Sequence, residues 1–206
     1  MNKMIITISR EFGSGGKELG KRLSEQLGIS FYDSEIIDLL SKETGLSEEY
    51  ISKTSESGIN NPITNYARTF AITSNLYNKK TEVMILQQKI IKEIASKESC
   101  IIVGRGADII LKEYNPFKIF VYADLESKVK RCIEKAKETG KITEKEIIKK
   151  IKEIDKNRKK YYDIISNNIW GNKENYNLCI NTSNKNIKTL IDPIVSYIKL
   201  HFDEGN

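Results

Sequence analysis

One stretch constrains this chain more than any other: Met4 to Leu27, MIITISREFGSGGKELGKRLSEQL. It opens apolar and β-branched at Ile5, Ile6, Thr7 and Ile8, a run that suits a short buried strand. Ser9 to Lys17 follows, with glycine at three of the four positions 13–16. Without a Cβ the backbone there can turn sharply and come close to a ligand. Leu19, Leu23 and Leu27 then recur at every fourth residue, as on one face of a helix. Strand, glycine loop and helix in this order form an anion site. The loop amides and the helix N-terminus attract negative charge, and Lys17 adds a cation. The same residues without a ligand would be a plain glycine-rich turn.

The phosphate-binding pattern G-x-x-x-x-G-K-[ST] fits Gly16-Lys17, but its first glycine falls on Glu11 and its hydroxyl on Glu18. A second register comes from LGKRLSEQLG, which resembles the helix after the P-loop of bacterial cytidylate kinases. In that register Arg10 replaces the first glycine, Gly16 replaces the lysine, and Glu18 again replaces Ser/Thr. A glutamate in a first helical turn is also favoured by the helix dipole with no ligand at all.

The 206 residues suit one domain with inserted lobes. The net charge of +6 is compatible with nucleic acid or an anionic small molecule, and a lysine-rich solvated surface accounts for most of it. Cys100, Cys132 and Cys179 stand apart with no metal spacing, so no metal ligand set is expected, and a reducing cytoplasm is the expected setting. No leader-like segment and no apolar run of ~18 residues is evident, so no membrane association is expected. His201 is expected on the surface.

Beyond Gly28, a helix C-cap candidate, ISFYD (29–33) reads as a second strand. Asp33 and Ser34 precede an apolar pattern at Ile36, Leu39 and Leu40. They can cap that helix, bind a ligand at a strand's C-terminal end, or do both. Thr44 to Lys80 is polar and weakly periodic, which reads as a mobile insert with short helices. Arg68 is its one arginine, solvated or reaching an acceptor phosphate. Thr81 to Lys97 reads as a helix with Val83, Leu86, Ile90 and Ile94 inward. Cys100 to Val103 is a third strand, followed by Gly104-Arg105-Gly106-Ala107-Asp108. An arginine between glycines at a strand end suits bidentate phosphate binding. KIFVYA (118–123) is a fourth strand, and Asp124 caps the helix after it, which carries Arg131. The charged run from Lys135 to Lys160, broken at Gly140, reads as a solvated helical hairpin or as a lid carrying cations such as Arg158. NLCIN (177–181) is a fifth strand and Ile187 to Leu200 a closing helix, started or kinked at Asp192-Pro193. Alternating strands and helices imply a parallel sheet covered on both faces.

ISREFGSGG, GISFYDSEII, IIVGRGADII, the DKNRKKYY run and WGN…NYNLCINTS, in that order, resemble the cytidylate kinase-like family over nearly the whole chain. The resemblance implies a three-layer α/β/α P-loop NTPase-like fold with a five-stranded parallel sheet and two mobile helical inserts. It divides one kinase-like domain into a core (1–34, 81–134, 166–206), an acceptor-binding insert (35–80) and a lid-like region (135–165). It implies transfer of the γ-phosphoryl group of ATP, with Mg2+, to CMP or a related monophosphate. The implied partner is therefore a nucleotide or another phosphorylated small molecule rather than nucleic acid. Gly13, Ser14, Gly15, Gly16, Lys17, Glu18 and Arg131 would face the donor. Asp33, Ser34, Arg68, Arg105 and Asp108 would face the acceptor, and Lys17, Arg105 and Arg158 would stabilise the transferring group. The Asp of the family's Gly-Arg-Asp motif is Gly106 here. A small-molecule kinase with another acceptor, and a binding module without catalysis, remain alternatives.

Overall fold

The computed structural model describes residues 3–33, 35–45, 47–48, 51, 70–136 and 143–204. Ser34, Arg68 and Gly140 lie outside the described residues, as does most of the 35–80 insert between Thr44 and Phe70.

Five strands form one sheet: β1 (Ile5–Arg10), β2 (Ser30–Tyr32), β3 (Cys100–Val103), β4 (Phe117–Tyr122) and β5 (Leu178–Asn181). Their order is β2-β3-β1-β4-β5, and every pairing is parallel. Seven helices are seen among the described residues: α1 (Gly16–Leu27), α2 (Glu35–Thr44), α3 (Phe70–Lys97), α4 (Ala107–Ile110), α5 (Leu125–Ala136), α6 (Glu144–Ile165) and α7 (Ile191–Glu204).

Strand alternation sorts the core into two layers. Ile6, Ile8, Ile101, Val103, Ile119 and Val121 face Leu19 and Leu23 of α1 and Ile191, Ile194 and Ile198 of α7. Ile5, Cys100 and Ile102 face Ile36 and Leu40 of α2, Val83, Ile91 and Ala95 of α3, and Ala107 and Ile110 of α4. Leu19 and Leu23 are fully buried, each gaining about 1.5–3 kcal/mol relative to exposure. The sheet is thus covered on both faces, as the alternation of elements predicts.

Two details differ from the sequence reading. Helix α3 begins at Phe70, well before Thr81, because no glycine or proline interrupts Phe70 to Lys97. Leu39 is 38% exposed, since the inward stripe of α2 runs through Ile36 and Leu40, one turn apart, and leaves Leu39 at its edge. The expected Gly28 cap is present in the left-handed conformation at φ 67°, and its N–H donates to the Ser24 carbonyl. Pro193 falls in the first turn of α7, behind a 3-10 turn at Ile187–Leu190. His201 is exposed and meets the Phe117 ring edge-on.

The central strand β1 has β3 on one side and β4 on the other, so the chain winds outwards in both directions from it. Ligands of open parallel sheets bind in the crevice at such a switch point, beyond the strands' C-terminal ends. Here the ends of all five strands deliver Arg10, Asp33, Gly104, Ala123 and Thr182 to one edge.

Candidate phosphate site

Helix α1 starts at Gly16, with Gly15 at φ 83° as its N-cap. The amides of Gly16, Lys17 and Glu18 therefore have no carbonyl within the helix to bond, and they open into a cavity of about 830 Å³. Gly13, Gly15, Gly16, Lys17, Glu18 and Arg131 line that cavity. Ser14 does not line it. It is fully buried, its hydroxyl donates to the Glu11 carbonyl at 2.8 Å, and its N–H donates there at 3.3 Å, so it pins the loop from within. Its own carbonyl accepts from Thr182 Oγ1 at 2.7 Å.

Glu11 and Phe12 anchor the same loop from below. The Glu11 carboxylate accepts from Lys128 Nζ at 3.0 Å and from the Ala123 N–H at 3.3 Å. The Phe12 N–H donates to Asp155 Oδ1 at 2.6 Å, which ties α6 to the loop. Burial pushes the Asp155 carboxyl above its ordinary value, while the Phe12 N–H and the Lys128 and Arg158 charges oppose that. A small apolar cluster of Val129, Ile147 and Ile151, with Phe12 packed against it, closes the α5–α6 pair. Part of the hairpin expected to be solvated is therefore a docked helix.

Lys17 and Glu18 both turn along the protein surface. Lys17 Nζ lies 2.7 Å from Asp33 Oδ2, with its side chain 58% exposed. Glu18 accepts from Arg22 Nε at 2.9 Å, one turn along α1. Arg131 donates to the carbonyls of Thr182, Lys185 (3.2 Å) and Gly13 (3.4 Å), so it fastens the loop after β5 to the glycine loop.

On the β3 side, Gly104, Arg105 and Gly106 are three consecutive left-handed residues, at φ 80°, 60° and 63°. A non-glycine residue held at positive φ costs on the order of 1–3 kcal/mol, so the surrounding contacts must enforce it. The Arg105 carbonyl accepts from Tyr161 Oη at 3.4 Å and from Gln87 Nε2 at 3.5 Å. Burial raises the Tyr161 hydroxyl to about 12, so it stays a donor. Arg105 lines a second, smaller cavity of about 30 Å³ with Ser9, Gly104, Tyr161 and Tyr162. A Cβ at Gly106 would meet Ile165 Cδ1 at 2.0 Å, so a side chain there would displace Ile165 and be strained at φ 63°. Asp108 lies deeper, 2% exposed, accepting from Tyr162 Oη at 2.8 Å and Ser9 Oγ at 3.4 Å. Burial pushes its carboxyl up, with the hydrogen bonds from Tyr162 and Ser9 opposing. Asp108 lines neither cavity.

Two arginines, Arg10 and Arg158, line both cavities. Arg158 Nη1 donates to the Arg10 carbonyl at 3.0 Å, and Arg10 Nη2 donates to Asp33 Oδ1 at 3.3 Å. Arg158 was legible as a candidate from the resemblance. Arg10 was not singled out, although the register set by the following helix had already put it in a glycine's place.

A parallel sheet in this order, with a glycine-rich loop and a helix start after its central strand, defines a P-loop NTPase-like α/β/α protein. Solved structures agree on the fold. The shikimate kinase of Acinetobacter baumannii superposes with a TM-score of 0.54 at 15% identity, covering 97% of this chain and 96% of that one. An uncharacterized protein from Eubacterium ventriosum superposes with a TM-score of 0.71 at 28% identity, over 96% and 99%. The sequence profile of the cytidylate kinase-like family matches residues 5–184, and the chain belongs to that family. The cytidylate kinase of Thermosipho melanesiensis is 27% identical over 213 aligned positions, covering 94% of this chain and 96% of the relative. That of Saccharolobus islandicus (strain Y.G.57.14) is 25% identical over 198, covering 96% and 92%.

Proposed function

We propose that the chain is a nucleoside monophosphate kinase-like phosphotransferase, which moves the γ-phosphoryl group of ATP to CMP or a related monophosphate. The observation that carries this reading is the placement of Arg10 and Arg158 on the walls of both cavities. The larger cavity accepts the donor phosphates on the α1 amides. The smaller one accepts the acceptor phosphate at Arg105, whose planar fork suits phosphate oxygens. Charge that spreads over the transferring group then develops between two cations. Positioning and electrostatic stabilisation of this kind are most of what phosphoryl transfer asks of a protein.

Each part of the chain has a task in this reading. Arg131 and the loop around Lys185 close one side of the donor cavity. Helix α6 excludes water from above the glycine loop, held there by Asp155 and Arg158. Magnesium, when bound with the nucleotide, would neutralise charge on the β- and γ-phosphates. Among the described residues no cluster of three His, Cys, Asp or Glu could hold a metal. Glu11, Glu18 and Glu134 line the larger cavity and Asp33 stands beside it, and Glu11, Glu18 and Asp33 are each engaged by cations. That donor set fits an ion held mainly by phosphates and water.

A second reading, transfer to an acceptor other than CMP, is favoured by Gly106. The family's aspartate is missing there, and Ile165 fills its space. One assay separates the two. ADP release is followed with ATP, magnesium and a panel of nucleoside monophosphates, beside phosphorylated small molecules. Turnover confined to CMP or its near relatives supports the first reading, and turnover with another acceptor supports the second. No acceptor-dependent release across the panel rejects both.

A further inference from the structure

We propose that Arg10, on the strand, is the residue that grips the donor polyphosphate, in place of the lysine that a P-loop carries at the start of its helix. The inference rests on the phosphotransferase reading for its substrate, but its geometry is independent of it. In a P-loop the first glycine precedes the lysine by six positions, and that lysine reaches the β- and γ-phosphates. Arg10 and Gly16 have that spacing, and α1 begins at Gly16. The two residue types have changed places, and the packing shows why they must change together. A Cβ at Gly16 would lie 2.6 Å from Arg10 Cβ and 3.1 Å from Arg10 Cγ. The stem of Arg10 therefore fills the room that a side chain at position 16 would need.

Further along, the guanidinium runs through a gap that a second glycine leaves. A Cβ at Gly104 would lie 1.7 Å from Arg10 Nη1 and 2.8 Å from Cζ. Two glycines from distant parts of the chain thus shape one channel for one side chain. The side chain it holds lines both cavities, as does Arg158. Among the described residues, Asp33 is the one hydrogen-bond partner of the guanidinium, through Nη2 at 3.3 Å. Most of its five N–H donors remain for phosphate oxygens. Asp33 also holds Lys17 Nζ, at 2.7 Å and on the more exposed side. Lys17, the lysine of the sequence motif, is thus directed at Asp33, while Arg10 lines both cavities.

Binding of inorganic tripolyphosphate, measured by calorimetry, tests this without requiring turnover. Arg10→Met keeps the stem and removes the charge. It should weaken binding by about 10- to 100-fold, the range for losing hydrogen bonds to a charged group. Lys17→Met should weaken it by less than about fivefold, as for an exposed cation. The exchange Arg10→Gly with Gly16→Lys should regain at least about tenfold over Arg10→Met. In the wild-type protein, tripolyphosphate should slow phenylglyoxal modification of Arg10 as mapped by mass spectrometry, which keeps the test valid if Arg10→Met does not fold. The inference is overturned if Arg10→Met binds like the wild type, if Lys17→Met carries the loss instead, or if Arg10 modification is unslowed. Wild-type protein that binds tripolyphosphate through Arg10 but transfers nothing from ATP would reject the phosphotransferase reading and leave this inference standing.

Discussion

Removing Asp155 should loosen the link between α6 and the glycine loop. Its Oδ1 accepts the Phe12 N–H at 2.6 Å, and its Oδ2 lies 3.4 Å from Lys128 Nζ. Its side chain is 16% exposed and that of Lys128 only 10%, so solvent screens these groups weakly. Asp155→Ala deletes a charge-assisted hydrogen bond, about 1.5–3 kcal/mol, and leaves the Phe12 N–H without its acceptor. Lys128 keeps Glu11 at 3.0 Å, which limits the further cost. Burial penalises the Asp155 charge itself, so the net loss should fall near the lower half of that range, about 2 kcal/mol. For a chain of this length that is about 4–8 °C in Tm. Asp155→Asn keeps an oxygen for the Phe12 N–H and should lose about half as much. Thermal and urea unfolding followed by circular dichroism read both variants. A loss below about 0.5 kcal/mol for Asp155→Ala, typical of a surface substitution, would refute the reasoning.

Gly104→Ala puts a Cβ on the path of Arg10 and forces an alanine to φ 80°, so it should cost about 1–2 kcal/mol. Phosphoryl transfer should fall further than that stability loss explains, which kinetics on the folded variant will show. Arg105→Lys should impair acceptor affinity less than Arg105→Ala, because lysine keeps the charge and loses the fork. Equal, wild-type affinity in both variants would return Arg105 to a purely structural role. Glu18→Ala removes an ion pair with Arg22 on the surface of α1 and should cost about 0.3–0.5 kcal/mol, read by urea unfolding. Because burial raises the folded Asp108 carboxyl, the native state holds its proton after the unfolded chain has lost it. The resulting stability is full below about pH 4, the ordinary carboxylate value, and is lost as pH rises through the folded value. Asp108→Asn should flatten that part of the stability–pH curve, and an unchanged slope would refute the assignment.

The sheet and its flanking helices were readable because burial on both faces leaves short apolar or β-branched runs, as at Ile5–Ile8 and Cys100–Val103. The glycine loop was readable because its backbone freedom is a property of residue type. The start of α3 was missed because Phe70 to Lys80 mixes Phe70, Ala71, Ile72, Leu76 and Tyr77 with Thr, Ser, Asn and Lys and shows no clean amphipathic period, although no glycine or proline interrupts it. Asp108 was singled out for its place after Gly-Arg-Gly, but its side chain goes to Tyr162 and Ser9, contacts made across 54 and 99 residues of chain. Arg10 stayed hidden for the same reason. Its setting is assembled from Gly16, Asp33 and Gly104, which only the fold brings together. The docking of α6 likewise depends on Asp155 reaching a backbone N–H 143 residues away. A single charged residue in a lysine-rich run carries no sign of such a partner.

The central claim is that phosphoryl transfer occurs at the junction lined by Arg10 and Arg158. It is tested most directly by 31P NMR of the protein with ATP, magnesium and a nucleoside monophosphate. The account predicts that the γ-phosphate signal of ATP declines while signals of ADP and a new nucleoside diphosphate rise together in equal amounts. It further predicts that Arg158→Met slows this by about 100-fold or more, as for loss of a cation on the transferring group. ATP that stays intact with every monophosphate, or transfer at an unchanged rate in Arg158→Met, would contradict it.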